Sequence, residues 1–114
     1  MIPPEILPSS RCVKTLSLIR CTCDSRGNPG PSLLWELSGG RVNHSALTPI
    51  TEEQVSSVRA RSTITLHALD RGMPSLVCHS VNALGTDSLV YNVSSSHAQL
   101  GRVTKLDGHF NGYL

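Results

Sequence analysis

The spacing of four cysteines constrains this chain of 114 residues more than any other feature. They follow the pattern C-x8-C-x-C and then a gap of 54 residues, and they are Cys12, Cys21, Cys23 and Cys78. Zinc modules usually take ligands in closely spaced pairs, each from one tight turn, and this spacing fits that pattern poorly. An even number of cysteines in a short chain instead indicates disulfides, which form in an oxidising compartment. We therefore expect an extracellular or lumenal domain, with a zinc site of three cysteines and one histidine as the alternative.

Length and composition restrict the chain to one small domain. It is 39% hydrophobic and 16% charged, and its length suffices for one domain and not for two. The formal net charge of +2 is too small to indicate a nucleic-acid partner. No apolar run is long enough to span a membrane, and the start lacks the basic and apolar segments of a signal peptide.

Short alternating segments separated by Gly, Pro and Ser clusters predict an all-β domain. Thr15–Cys23 alternates, which places Ile19, Cys21 and Cys23 on one face. No segment repeats apolar residues at helical spacing over a helical length. We expect 41–54 to be polar and loop-like, with at most a short edge strand. The other predicted strands are Ser32–Leu37, Ser62–Leu69, Leu76–Val81 and a returning strand with Leu89, Tyr91 and Val93.

Cys23, Trp35 and Cys78 together predict an immunoglobulin-like β-sandwich of the C2 or I type. In that fold a disulfide joins the two sheets and a tryptophan of the third strand packs against it. Closing 54 residues with one bridge contributes about 4 kcal/mol in the loop-entropy model. If Cys23 pairs with Cys78, the remaining Cys12 and Cys21 should join the first strand to the second, and this short loop should stabilise less.

The segments around these residues resemble the sialic-acid-binding immunoglobulin-like lectins. The motifs that carry the resemblance are C-x8-C-T-C, G-N-P-G-P-S-L, W-E-L and C-H-S-V-N-A-L-G, and it covers residues 3–93. The extra cysteine pair is specific, because an ordinary C2 domain lacks it. The resemblance implies a membrane-proximal C2-type domain with the pairs Cys12–Cys21 and Cys23–Cys78.

The resemblance also implies a non-catalytic role in a cell-adhesion receptor. The domain would space a ligand-binding tip from the membrane, with neighbouring immunoglobulin domains and a homodimer as partners. Leu16 and Leu18 are the apolar residues that we expect at such a dimer interface or under a covering segment. Sialylated glycans would bind only through a V-type domain that this chain does not contain, since none of its arginines matches that motif. The alternative is an independent ligand-binding immunoglobulin domain of another adhesion or immune receptor.

Two departures from the family pattern shape these expectations. Leu76 occupies the position of the tyrosine that commonly precedes the second core cysteine, so we expect no tyrosine corner. No membrane span follows the domain, so we expect a fragment or truncated form, extracellular at the plasma membrane or secreted. Residues 1–96 form the predicted immunoglobulin-like domain, and 97–114 are expected to be a disordered or non-native tail.

Two sequons agree with an extracellular location. Asn43, in a polar stretch, and Asn92, within a predicted strand, each begin an N-x-S sequence without proline, and we predict both as glycosylation sites.

The sequence offers little chemistry beyond its disulfides. We expect no catalytic residue, because a nucleophile elbow is absent and the histidines are scattered. No metal or cofactor is expected either. Asp24, Asp70 and Asp87 are interpreted as turn carboxylates that accept backbone hydrogen bonds.

Overall fold

The computed structural model describes residues 1–67, 75–91 and 99–100 of the chain. All regular structure in these residues is β-strand, and no helix among them could cross a membrane. The strands are β1 Ile2–Ile6, β2 Arg11–Thr15, β3 Leu18–Asn28, β4 Ser32–Leu37, β5 Gly40–Val42, β6 Ile50–Ser56, β7 Arg59–His67, β8 Leu76–Asn82, β9 Gly85–Tyr91 and β10 Gln99–Leu100.

The strands form two antiparallel sheets. The six-stranded sheet has the order β10-β2-β3-β7-β6, and β1 pairs with the second half of β3. The four-stranded sheet has the order β5-β4-β8-β9. The prediction of an all-β, immunoglobulin-like sandwich is confirmed.

The core lies between the sheets because apolar residues alternate along the strands that face each other. In β7 the buried residues are Ala60, Ser62, Ile64 and Leu66, while their neighbours are more exposed. This period of two places one side of a strand in the core and the other toward solvent. The facing sheet contributes its own buried row, Leu33, Trp35, Leu76, Cys78, Leu89 and Tyr91.

The structure differs from the sequence prediction at two segments. Alternation suggested one strand over Thr15–Cys23, but a tight turn separates β2 from β3, and Leu16 adopts a φ of 47° there. Left-handed backbone is rare for leucine, so its side chain gives no turn signal. Residues 41–54 contain most of β5, a short edge strand such as the prediction allowed, and most of β6, which the prediction of a loop missed. Nearly all side chains of β6 are exposed, so its sequence has no apolar face. β6 is a strand because its backbone pairs with β7.

Several predictions fall on residues that the structure does not describe. Asn92, Asp70 and the end of the predicted strand Ser62–Leu69 are among them. So is nearly all of the predicted tail 97–114, within which only the strand β10 is placed, paired with β2. These expectations stay predictions.

Candidate functional site

The Cys23–Cys78 disulfide joins the two sheets at the centre of the sandwich. Both cysteines are fully buried, and their Cα atoms are 6.5 Å apart. Cys23 pairs with Ser62 across β3 and β7, and Cys78 pairs with Trp35 across β8 and β4. The disulfide therefore has a serine beside it in one sheet and a tryptophan beside it in the other.

Trp35 spans the sheets alongside this disulfide. Its ring is buried, its Nε1 donates a hydrogen bond of 2.9 Å to Ser62 Oγ, and that hydroxyl donates one of 3.0 Å to the carbonyl of Thr51. The ring of Tyr91 lies 5.6 Å from it at an angle of 46°. A buried indole N–H needs a partner, and here the partner is a core serine of the opposite sheet.

Two further polar contacts cross between the sheets. The Tyr91 hydroxyl donates to the carbonyl of Thr22 at 2.9 Å, and the hydroxyls of Ser25 and Ser80 lie 2.5 Å apart. Position 76 holds leucine and not the tyrosine common in this fold, but Tyr91 at the end of β9 makes a hydroxyl-to-backbone hydrogen bond of its own. The sequence predicted Tyr91 only as a residue of the last strand.

The second disulfide, Cys12–Cys21, lies within the six-stranded sheet. The two cysteines are directly opposite each other in β2 and β3, with Cα atoms 4.0 Å apart, and both are buried. Both pairs that the resemblance implied are present, and the chain has no free cysteine. Zinc binds cysteine as a thiolate, so this pairing removes the ligands of the zinc alternative.

Asp24 is a buried carboxylate that sequence reasoning misinterpreted as a turn residue. It lies in the middle of β3, and its side chain is 2% exposed. Arg59 donates to both carboxylate oxygens, at 3.0 and 2.6 Å, while Arg61 and Ser9 donate to Oδ2 at 3.5 and 2.9 Å. The signal in the sequence was the pair of arginines in β7, but only the strand register shows that they lie beside Asp24.

The segment between β1 and β2 closes over this ion pair. The Asp24 carbonyl accepts a hydrogen bond from the Leu7 N–H at 2.7 Å, and the Asp24 N–H donates one to Ser10 Oγ at 2.9 Å. The guanidinium of Arg59, through its hydrogen bonds and its charge, holds the pKa of Asp24 below the ordinary value of 3.8, and Ser9 adds to this, although burial opposes it. The carboxylate is therefore charged at neutral pH and anchors the start of the chain to β3.

His79 lies at the centre of a hydrogen-bonded set on the outer face of the four-stranded sheet. Its Nδ1 is 2.6 Å from Ser88 Oγ, and its Nε2 is 2.7 Å from Glu36 Oε1. The three residues come from the neighbouring strands β4, β8 and β9. A serine, a histidine and a carboxylate are the groups of a nucleophilic triad. Here they stand on the open face of a sheet, where the observed contacts tie three strands together.

Asp87 accepts backbone hydrogen bonds, as predicted, although from within a strand. The Ile6 N–H donates to its Oδ2 at 2.8 Å and the Ser88 N–H to its Oδ1 at 3.0 Å. The first of these bonds connects β1 with β9.

Two predicted surface features lie on exposed turns. Asn43 follows β5 and is exposed, and Ser45 of the same sequon makes a local turn with Thr48. Leu16 is 98% exposed at the tip of the β2–β3 hairpin, with Leu18 partly exposed beside it.

We expect removal of the Cys23–Cys78 disulfide to cost more stability than removal of Cys12–Cys21. The loop-entropy model gives about 4 kcal/mol for the first and about 2.5–3 kcal/mol for the second, because the second closes a much shorter loop. Urea unfolding of the two paired cysteine-to-alanine variants measures the difference. All four sites are buried, so the side-chain truncation is matched. An equal or larger loss without Cys12–Cys21 would contradict the expectation.

We expect Asp24→Asn to lower the free energy of unfolding by about 1–3 kcal/mol at pH 7, because a buried charged hydrogen-bond acceptor is lost. Since the folded-state pKa of Asp24 is depressed, its contribution is present above pH 3.8 and is lost as the pH falls through the lower folded value. Urea unfolding at several pH values should show the two proteins converging in acid.

Glu53→Gln is the control, because Glu53 is largely exposed and its ion pair with Arg61 is 3.5 Å long. Such a pair contributes at most about 0.5–1 kcal/mol. A difference between wild type and Asp24→Asn that stays constant into acid would show that charge is not the cause.

No protein-family profile matches the chain. Individual proteins are similar to it, and they agree with the observed architecture. It is 30% identical to rat myelin-associated glycoprotein over 96 residues, which are 82% of this chain and 15% of that protein. It is 32% identical to neural cell adhesion molecule L1 of Takifugu rubripes over 89 residues, which are 75% of this chain and 7% of L1. The chain thus spans a small part of these relatives.

A solved structure shares the fold. The titin M4 structure in its trigonal form superposes with a TM-score of 0.57 at 18% identity, covering 78% of this chain and 91% of that one. The titin similarity shows the fold alone. The similarity to myelin-associated glycoprotein and the two disulfides confirm the resemblance that the sequence motifs carry. The chain is an immunoglobulin-like domain similar to those of adhesion proteins, and it resembles the sialic-acid-binding lectins through its similarity to myelin-associated glycoprotein.

Proposed function

We propose that this chain is a non-catalytic extracellular domain of a lectin-like cell-adhesion receptor and acts as a spacer between neighbouring immunoglobulin domains. The observation that carries the proposal is the course of the chain through the sandwich. β1 begins at one end, where Ile2 pairs with Asn28 and the Asn82 side-chain amide donates to the carbonyls of Ile2 and Pro29.

β9 carries the chain to the opposite end. It starts beside Asn82, which pairs with Gly85, and it finishes at Tyr91. A strand of seven residues advances about 23 Å, so β1 begins and β9 ends at opposite ends of the sandwich. This is the arrangement that a linear string of domains requires.

Two disulfides support an extracellular location, because such bonds persist in oxidising compartments. The similar proteins are named as a glycoprotein and as a cell adhesion molecule. We propose Asn43 as a glycan acceptor, since it is exposed on a surface turn next to the edge strand β5. Asn92 stays a sequence prediction.

The contacts of His79 support a non-catalytic role. We interpret these contacts as structural, because the ring connects Glu36 of β4 with Ser88 of β9 and so ties three neighbouring strands together. Sialylated glycans would reach the parent receptor through a V-type domain and not through this one. The alternative function is independent ligand binding by a domain of another adhesion or immune receptor, and the similarity to neural cell adhesion molecule L1 bears on the receptor class but names no ligand.

Self-association is proposed as the second role, with the β2–β3 hairpin tip as its contact. Leu16 exposes nearly its whole side chain, and Leu18 adds apolar surface beside it. An apolar tip of this kind is suited to contact a second copy.

A tandem protein made of two copies of residues 1–96 tests the spacer role. We expect small-angle scattering to give a maximum dimension close to twice that of a single copy, because β1 begins and β9 ends at opposite ends of the sandwich. The single copy is the reference. Side-by-side packing, with an increase of less than half of the single-copy dimension, would contradict the proposal.

Sedimentation velocity over a range of concentrations tests self-association. We expect wild-type protein to shift toward a dimer as concentration rises and Leu16→Asp to remain monomeric. Aspartate tolerates the left-handed backbone at this position, so the fold should be retained. Leu47→Asp, at another leucine that is 76% exposed, is the matched control and should behave as wild type. Monomeric wild-type protein at all concentrations would show that the proposal is wrong.

A further inference from the structure

A groove on the outer face of the six-stranded sheet holds two arginines that have no role in the proposed function, although Leu18 of the proposed self-association contact also lines it. It encloses about 300 Å³ between β2 and β3. We name it the arginine groove, and its lining residues are Arg11, Val13, Thr15, Leu18, Arg20 and Thr22. These are the outward members of the two strands, whose inward members include the disulfide-bonded Cys12 and Cys21.

Positive charge exceeds negative charge on the described part of this face, and the excess lies in the groove. Of the described arginines on the face, three have carboxylate partners in the ion pairs Arg26–Glu5, Arg59–Asp24 and Arg61–Glu53. Arg11 and Arg20 make no ion pair with any residue that the structure describes, and both are exposed. The surplus of positive charge on the described part of this face is therefore concentrated at these two guanidinium groups.

The backbone fixes the spacing of the two arginines. Arg11 pairs with Thr22 and Arg20 with Val13, so the two arginines are diagonal neighbours with Cα atoms about 7–8 Å apart. The cysteine pair between these two registers, Cys12 and Cys21, is covalently linked beneath them. Arg11 directly precedes Cys12 and Arg20 directly precedes Cys21, and the disulfide between these cysteines keeps the two strands from separating. Two charges held at a fixed spacing lose less entropy on binding than two on mobile loops.

The side chains that line the groove indicate which class of ligand it would bind. A guanidinium group presents a planar fork of N–H donors that matches the oxygens of a sulfate or carboxylate group. The groove has hydroxyls from Thr15 and Thr22 beside the arginines and no aromatic ring in its lining. Single-stranded nucleic acid binds largely by stacking bases on aromatic rings, so this groove is unsuited to it. It is also open, with no buried charged group among its lining residues, which suits a repeating anionic chain rather than an enclosed small molecule.

We propose that the arginine groove binds a sulfated polysaccharide through Arg11 and Arg20. The disulfides support this class of ligand, because sulfated polysaccharides occur in the oxidising compartments where such bonds persist. The site is distinct from sialic-acid recognition, which the resemblance assigns to a V-type domain. Binding through Arg11 and Arg20 requires neither the spacer role nor a dimer, although Leu18 lies both in the groove and in the proposed dimer contact.

Binding of a size-defined heparin oligosaccharide to the whole chain, measured by calorimetry at physiological salt, tests the proposal. We expect wild-type protein to bind and the Arg11→Gln/Arg20→Gln variant to bind about tenfold more weakly or worse, since two charge-assisted contacts are lost. Arg26→Gln/Arg41→Gln is the control, because it removes the same charge outside the groove. It should retain nearly the wild-type affinity. Both arginines of the test variant are exposed, so its fold should persist, and peptide mapping of the disulfides verifies this.

Three results would overturn the proposal. The first is an absence of heparin binding by wild-type protein at physiological salt. The second is an equal loss of heparin affinity in the two charge-matched variants, which would show that binding depends on net charge and not on the groove. The third is equally tight, arginine-dependent binding of desulfated heparin or of a single-stranded oligodeoxynucleotide, which would show that the groove does not select sulfated saccharides.

Discussion

The link between the two sheets at Cys23 and Cys78 is the constraint on which the rest of the sandwich depends. Aromatic residues, which bury the most apolar surface each, are few in this chain, so the apolar contact between the sheets is made mainly by smaller side chains. The covalent bond fixes their separation, and Trp35 then crosses the same gap to Ser62 on the neighbouring strand pair. A covalent and a polar contact thus act side by side, each positioned by the same register.

β3 is the strand that connects these features. One of its faces carries Ile19, Cys21 and Cys23 into the core, while the other places Asp24 under the turn that leads from β1 into β2. The buried carboxylate, held charged by Arg59, organises a segment with few apolar residues of its own. The same strand holds Arg20 at the surface beside a disulfide. One central strand therefore positions the core, an internal ion pair and an exposed charged groove.

The sequence allowed much of the fold to be predicted, because cysteines and a tryptophan report long-range pairing that alternation alone cannot. It did not reveal the turn at Leu16, since a left-handed leucine has no distinctive neighbours. It did not reveal β6, whose exposed side chains show no apolar face. Asp24 was misplaced for a third reason, because its partner arginines are 35 and 37 residues away and only strand register brings them together. The arginine groove was hidden in the same way, since Arg11 and Arg20 are neighbours only after β2 pairs with β3.

The disulfides also determine how the domain would respond to tension. A pull applied where β1 begins and β9 ends runs along the strands, so the β1–β3 hydrogen bonds are loaded in shear rather than opened one at a time. If the sandwich did yield, the residues between Cys23 and Cys78 would remain a closed loop that cannot be drawn out. Only the short segments outside that loop could lengthen, and the smaller loop from Cys12 to Cys21 shortens them further. Under tension this domain would therefore lengthen much less than a chain of the same length without disulfides.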